Sequence, residues 1–406
     1  MKTYIILNHG LCNIGGGQLY VNSKKKYMEE IGWRVLVFSY MKGEIVVDDL
    51  KQYKKLIFPE LNFYPSYFFK FKRNKILQKM VGQIPTSDEI IIESNSTSLS
   101  CWGELLAARL NAKHIIYNLN ESPQMKPELF PFFKFKLDRN EIAGITSKSV
   151  SNFFKGYLDV PESDDLQLKA YYSNKQVDDI PYVFPEGYDS EGKVTVGICG
   201  RLVKPFVMAA ANGIKEFALN NPSMKLNVFF IGGDDPGTFT SRELKKVFSK
   251  VENVCCYITG FLYPIPLLLL KSLDFGISSS GAVIILSREG VLTIAVDGND
   301  NKPIGIFGIT TNNALYRTEE PIFDFQYWFN QIIIDKIYSD NVSINIEPYS
   351  DNSYLKLKSH MEFVRKTSKD RMYFINITHG DLLKKICLLL FNFKSLALIY
   401  KLEHIF

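Results

Sequence analysis

Short apolar runs that stop at small or acidic residues and then pass into helical stripes recur along this chain, and that rhythm limits its fold most. Residues 194–199 run into Gly200 and Arg201. A stripe at Phe206, Ala210, Ile214 and Phe217 follows, closed by Asn220, Asn221 and Pro222. Residues 226–231 end in Gly232-Gly233-Asp234, and 254–258 lead through Thr259 to Gly260. Residues 275–277 end in Ser278-Ser279-Ser280 before Gly281 and Ala282, and 293–296 form another run. Strands covered on both faces read as unbroken apolar runs, and a helix between each pair returns the chain so that the next strand lies parallel. The pattern therefore predicts an α/β unit whose strand tips share one edge, where sheets of this kind bind ligands.

The first half repeats the rhythm. Residues 4–7 predict a strand, Gly15, Gly16 and Gly17 a loop, and Leu19, Ser23, Tyr27 and Ile31 a helix that Gly32 closes. Residues 33–39, 89–92, 114–117 and 141–145 are further strand candidates, with a helix over 102–110. Gly15 and Gly17 are followed by Gln18, Leu19 and Tyr20, so the loop is not G-x-G-x-x-G and argues against a nicotinamide cofactor. Gly16 and Gly17 instead suit close approach of backbone to a phosphate or sugar. Glu121 stands just past the strand over 114–117, where a carboxylate would orient an acceptor hydroxyl. Residues 173–193 are polar and aperiodic, with Pro181, Pro185, Gly187 and Gly192, the composition of a linker. The expected architecture is two Rossmann-like domains facing across a cleft, spanning 1–175 and 190–375. A C-terminal amphipathic helix over 376–406 is expected to be interfacial or packed back on the first domain.

A length of 406 residues lets each domain bury its own core, and 46% hydrophobic against 22% charged residues is a globular balance. The formal charge of +5 permits contact with phosphate or anionic lipid and gives no case for nucleic acid. The six cysteines form no C-x-x-C pair and no zinc-ligand spacing with the five histidines, so reduced thiols in cytosol are expected. The N-terminal apolar run is too short for a signal peptide. Aromatic and basic residues interleave twice, at 61–80 (Phe63, Tyr64, Tyr67, Phe68, Phe69, Phe71) and at 126–139 (Phe130, Phe132, Phe133, Phe135). Such stretches suit a membrane interface, with core packing as the alternative.

Arg201, with Lys204 three residues on, combines a bidentate clamp and a point charge at a strand end. Ser279, Ser280, Gly281 and Ala282 offer hydroxyl and N–H donors where a helix starts. Both suit a diphosphate. In these residues the chain resembles bacterial glycosyltransferases of the GT-B architecture, closest to the family 4 type of capsular and surface polysaccharide synthesis. Gly15-Gly16-Gly17-Gln18 resembles that family's first glycine loop, and Gly200-Arg201-Leu202 with Lys204 its G-R-L motif. Gly232-Gly233-Asp234 and Thr259-Gly260-Phe261 resemble the strand ends that border the nucleotide base. The family's lysine follows its arginine by five positions rather than three. Its glutamates eight positions apart are replaced by Ser279 and Ser287, with Glu289 the nearest acid for a ribose contact.

The resemblance implies metal-independent transfer of a sugar from a nucleotide-diphosphate donor to a glycan acceptor, with no cofactor beyond that donor. Arg201, Lys204 and Glu121 would carry the chemistry. Gly16, Gly17, Gly200, Gly232, Gly233, Gly260, Ser279, Ser280, Gly281, Ala282 and Glu289 would hold the donor. The aromatic-basic stretches add a lipid-linked acceptor and a cytoplasmic location, peripheral on the inner face of the cell membrane. Two alternatives stand beside this reading: a silent GT-B subunit that binds nucleotide or glycan, for which the lost glutamates argue, and a nucleotide-sugar epimerase.

Overall fold

The computed structural model describes residues 1–119, 125–168, 176–235, 237–338, 353–367 and 375–378, with positions 382, 385, 386 and 388. The chain divides into two compact units. The first takes residues 1–12, 17–173 and 351–406, and the second takes 13–16 and 174–350.

In the first unit, β1 (Lys2–Gly10), β2 (Trp33–Met41), β3 (Glu89–Ser94), β4 (Lys113–Asn118) and β5 (Ile142–Gly144) form a wholly parallel sheet in the order β2-β1-β3-β4-β5. Its helices are α1 (Gly16–Glu30), α2 (Lys70–Val81), α3 (Thr97–Leu110), α4 (Phe130–Asp138) and α5 (Ser147–Phe154). Gly16 and Gly17 make the first turn of α1 rather than a loop.

The aromatic-basic stretches turn most of their rings inward. Phe63, Tyr67, Phe68, Phe132 and Phe133 are buried, and of the rings named above only Phe71 is mostly exposed, at 64%. Trp102 Nε1 donates to the Phe63 carbonyl at 2.7 Å, and its ring lies 5.7 Å from that of Phe68. Phe133 meets Phe153 edge to face at 4.7 Å. The five buried rings are core and have no headgroup role, whereas Phe71 stays at the surface. The basic residues between them also have internal work. Lys72 Nζ and Arg73 Nη1 donate to the carbonyls of Leu388 and Thr378.

Three buried charges organise the far side of the sheet. Lys136 Nζ donates to Glu104 at 2.7 Å, to Glu141 at 2.8 Å and to the His114 carbonyl at 3.2 Å, which uses all three of its donors. His114 Nδ1 lies 2.7 Å from Glu104 Oε2, and its Nε2 lies 3.0 Å from Ser94 Oγ. The Ser-His-Glu order matches a nucleophile-base-acid relay. All three side chains are fully buried or nearly so, and Glu104 is shared with an ammonium, so the set is structural.

The second unit begins with a two-residue strand, β6 (Val177–Asp178). Its main strands are β7 (Lys193–Cys199), β8 (Lys225–Ile231) and β9 (Val254–Ile258). α6 (Pro205–Asn220) and α7 (Thr240–Phe248) join them. β10 (Ile265–Pro266) pairs with β6, and α8 (Leu267–Lys271) leads to β11 (Phe275–Ser278). α9 (Gly281–Arg288), β12 (Thr293–Val296), β13 (Pro303–Ile306) and α10 (Phe325–Phe329) follow. The six-stranded sheet runs β13-β12-β11-β7-β8-β9, parallel except for β13, an antiparallel edge that the apolar pattern did not reveal. Alternate residues face opposite layers. Val196, Ile198, Val228 and Phe230 meet Phe206, Ala210, Ile214 and Phe217 of α6, while Phe229 and Ile231 meet Leu269 and Leu270 of α8 and Leu286 of α9. Each large apolar side chain so covered contributes roughly 1.5–3 kcal/mol.

The chain then returns. α11 (Ser353–Lys366) and α12 (Ile375–Thr378) belong to the first unit, so the second closes at residue 350 rather than at the expected 375. The anchor is His360, buried completely, with Nδ1 3.4 Å from the Tyr20 hydroxyl and its ring 5.0 Å from that of Tyr117. Tyr20 in turn donates to buried Glu93, which also accepts from Tyr4 and Asn95. The expected terminal helix over 376–406 lies mostly outside the described residues. No helix among those described is long and apolar enough to cross a membrane.

Burial, and then the Lys136 charge, hold His114 down at about 4 against an ordinary 6.5. Burial works against the Glu104 carboxylate, yet Lys136 and His114 hold it at about 2. Both groups therefore bind protons more readily when unfolded, and stability is lost as pH falls. Between pH 7 and pH 5 the His114 contribution should drop by about 2 kcal/mol. Denaturant titrations at the two pH values should show it as a lower midpoint, and His114→Gln should flatten the difference.

Candidate functional site

At the carboxyl edge of the second sheet, the strand register brings together residues that are far apart in sequence. Ser278 pairs with Cys199, Cys199 with Ile231, and Phe230 with Ile258. Two residues beyond the last row common to all four strands, Ile277-Ile198-Phe230-Ile258, the register sets Ser279, Gly200, Gly232 and Gly260 level just past β11, β7, β8 and β9. The tips are also bonded to one another. Ser278 Oγ donates to the Cys199 carbonyl at 2.6 Å, the Gly200 N–H to the Ile231 carbonyl at 3.1 Å, and the Leu202 N–H to the Gly233 carbonyl at 3.2 Å.

Small residues are required here by contact. A Cβ on Gly232 would sit 1.9 Å from the Gly200 carbonyl oxygen, and one on Gly233 would sit 2.6 Å from the Phe261 ring. Gly200 and Gly260 have φ of 153° and 72°. Ser280 is the exception. It holds φ 66° and ψ −142°, a region that glycine fills almost alone, directly before α9. Its N–H donates to the Ala314 carbonyl at 2.6 Å. The loop that carries Ala314 is clamped by Glu320, which accepts from Thr311 Oγ1, from Asn313 Nδ2 at 2.7 Å and from the Thr318 N–H at 2.9 Å. Burial works against that carboxylate, but these donors hold it at about 2.

Two cations flank the row. Arg201 and Lys204 both lie on the turn between β7 and α6, and the Lys204 N–H donates to the Arg201 carbonyl at 3.1 Å. Burial first, and then the neighbouring guanidinium, hold the Lys204 ammonium below its ordinary pKa. Burial pushes the Cys199 thiol up to about 12, so it is no nucleophile. Cations, N–H groups and hydroxyls on a glycine-lined edge suit an anion.

Not all of the remaining candidates adjoin the row. Gly281 and Ala282 open α9, whereas Glu289 is exposed past its other end, about 12 Å along the axis. Ser287 is buried, and its Oγ has no hydrogen-bond partner among the described residues. Gly16 and Gly17 lie after β1, where residues 13–16 cluster with the second unit. Glu121 lies outside the described residues. Asp234 and Asp235, whose D-D-P-G stretch has turn composition, both have partners. Asp234 accepts from the Ser241 N–H and hydroxyl at the start of α7, and Asp235 Oδ2 meets Arg201 Nη1 at 3.1 Å. The sequence carries no signal for the contact with Arg201, because an acidic pair directly after a strand tip has the composition of a turn. No group of three or more His, Cys, Asp or Glu among the described residues is placed to hold a metal ion.

No protein-family profile matches the sequence, and no curated protein matches it. Solved structures do match. HepE of Anabaena, crystallised with UDP-glucose, aligns over 93% of this chain and 97% of its own with a TM-score of 0.52 and 13% identity. The same protein with UDP and glucose gives 0.50 and 14% over 92% and 96%. A glycosyltransferase from Rickettsia africae ESF-5 gives 0.54 and 14% over 90% and 93%. The chain has the GT-B fold. At these identities the likeness is one of fold.

Gly232→Ala should destabilise the protein by about 3 kcal/mol, since a backbone carbonyl occupies the space. Ser280→Gly should stabilise it by about 1 kcal/mol, the relieved strain less the added freedom of the unfolded chain. Thermal unfolding of both variants checks the two signs.

Proposed function

We propose that this protein transfers a sugar from a nucleotide-diphosphate donor to a glycan acceptor, with the leaving diphosphate held at the tips of β7, β8 and β11. The observation that carries the reading is the level row of Ser279, Gly200, Gly232 and Gly260, with Arg201 and Lys204 on the turn beside it. Glycosyl transfer leaves negative charge on the diphosphate as the anomeric carbon becomes cationic, and preorganised donors there supply the largest catalytic term. Arg201 would clamp the leaving group, Lys204 would add charge, and the N–H groups at the start of α9 would take the remaining oxygens. Phe261, half-buried against Gly233, offers a ring face to the base. That HepE was crystallised with UDP-glucose supports a uridine nucleotide as the first donor to try.

The finer reading is a family 4-like hexosyltransferase of bacterial surface polysaccharide synthesis that needs no metal and acts on a lipid-linked acceptor. Its support is the G-R-L turn and the outer face of α2, where Lys70, Phe71, Lys75 and Lys79 are exposed. That face would provide peripheral contact with an anionic membrane.

A second reading has its own observation. Ser279 and Ser287 put no carboxylate where the resembling family has two, and Glu289 stands at the far end of α9. A subunit that binds nucleotide without transferring sugar fits that loss.

A panel of nucleotide sugars with lipid-diphosphate acceptors, scored for nucleoside diphosphate release, separates the two. Release with at least one donor is expected. Binding without release under any donor favours the silent subunit. Arg201→Ala should lower the rate at least about a hundredfold, on the order of 3 kcal/mol. Unchanged turnover in that variant would place the site elsewhere.

A further inference from the structure

Among the described residues, Asp235 is the acid that meets the candidate clamp. Its Oδ2 lies 3.1 Å from Arg201 Nη1, and its Oδ1 accepts from Asn13 Nδ2 at 2.9 Å. Its backbone carbonyl accepts from the Thr238 N–H at 3.0 Å and from Thr238 Oγ1 at 2.8 Å, so the turn itself holds the carboxylate in place. Asp235 is mostly covered, at 19% exposure, while Arg201 is 44% exposed. The clamp thus opens to solvent on one side and is already neutralised on the other. Asp234 does not share this role, because its oxygens bond Ser241 at the start of α7.

We propose that Asp235 is a built-in counter-ion for Arg201 that opposes an incoming phosphate, and so sets how tightly the donor's charged part binds. The proposal rests on the reading that phosphate is held at this strand edge. A carboxylate fixed beside the guanidinium occupies part of its donor fork. Any anion arriving there must compete with that carboxylate for the fork. The opposition grows with the charge the ligand brings to Arg201 and vanishes for a neutral ligand. A lone arginine would hold product as firmly as donor. A guarded one would release a nucleoside diphosphate more readily, which favours turnover where product release is slow.

The experiment is a double-mutant cycle read with three probes: uridine, UMP and UDP. Affinities are measured by titration calorimetry for the full chain, Asp235→Asn, Arg201→Ala and the double variant, with thermal unfolding to establish that each is folded. Asparagine keeps the shape and the contact with Asn13 while removing the charge. Asp235→Asn should bind UDP about fivefold tighter, UMP less so, and uridine unchanged. In the Arg201→Ala background the same substitution should leave UDP affinity where Arg201→Ala alone puts it. Equal tightening of all three probes, or none with UDP, would overturn the counter-ion role while leaving the phosphate site intact. UDP affinity indifferent to Arg201→Ala overturns both the role and the reading it rests on. If Asp235→Asn fails to fold, Asp235→Ser takes its place in the same cycle with the same expected outcomes, since it too removes the charge.

Discussion

The second unit depends on how closely β7 and β8 end together. With the Gly232 Cα packed on the Gly200 carbonyl, there is no room for a side chain between the two tips, and the backbone itself becomes the floor of the edge. A parallel sheet turns every strand end the same way, so a close approach at one pair is extended to its neighbours by register. That extension sets Ser279 and Gly260 level with the two glycines. The hydroxyl of Ser278, donating to the Cys199 carbonyl, fixes the third strand to the first. The cations then need no precise loop of their own, because the turn that carries them starts from a tip already held on both sides.

The fold was largely legible because its main signal is strong. Unbroken apolar runs that end in Gly, Ser or Asp are hard to read as anything but buried parallel strands. β13 was not legible, since Pro303-Ile304-Gly305-Ile306 is short and holds a proline and a glycine that its edge position tolerates. The return of residues 353–367 to the first unit was also hidden. It depends on His360 reaching Tyr20 across some 340 positions, and no local pattern encodes that. The aromatic-basic stretches show the limit of composition. The same residues fit a membrane face or a core, and only the positions of Trp102 and Phe153 decide between them.

For the site, the strand tips could be read and their guards could not. Arg201 stands out after a strand, but the acid that faces it looks like turn chemistry until Asp235 is seen at 3.1 Å. The conformation of Ser280 is likewise invisible in sequence. Ser-Gly before a helix suggests an ordinary cap, and the strain appears only with φ 66° and the bond to Ala314. Strain of this kind persists where surroundings over-determine it. Here the loop clamped by Glu320 supplies that determination from a later part of the chain.

The path of the chain has one more consequence. It leaves the first unit at residue 173 and re-enters it at 351, and residues 13–16 cross over as well, so the second unit is an insert rather than a bead at the end of a string. Cutting the protein anywhere in 300–350 to free its carboxyl-terminal half would also strip α11, and with it His360, from the first unit, leaving Tyr20 and Glu93 under an open roof. Any dissection therefore has to keep residues 353–367 with the first unit.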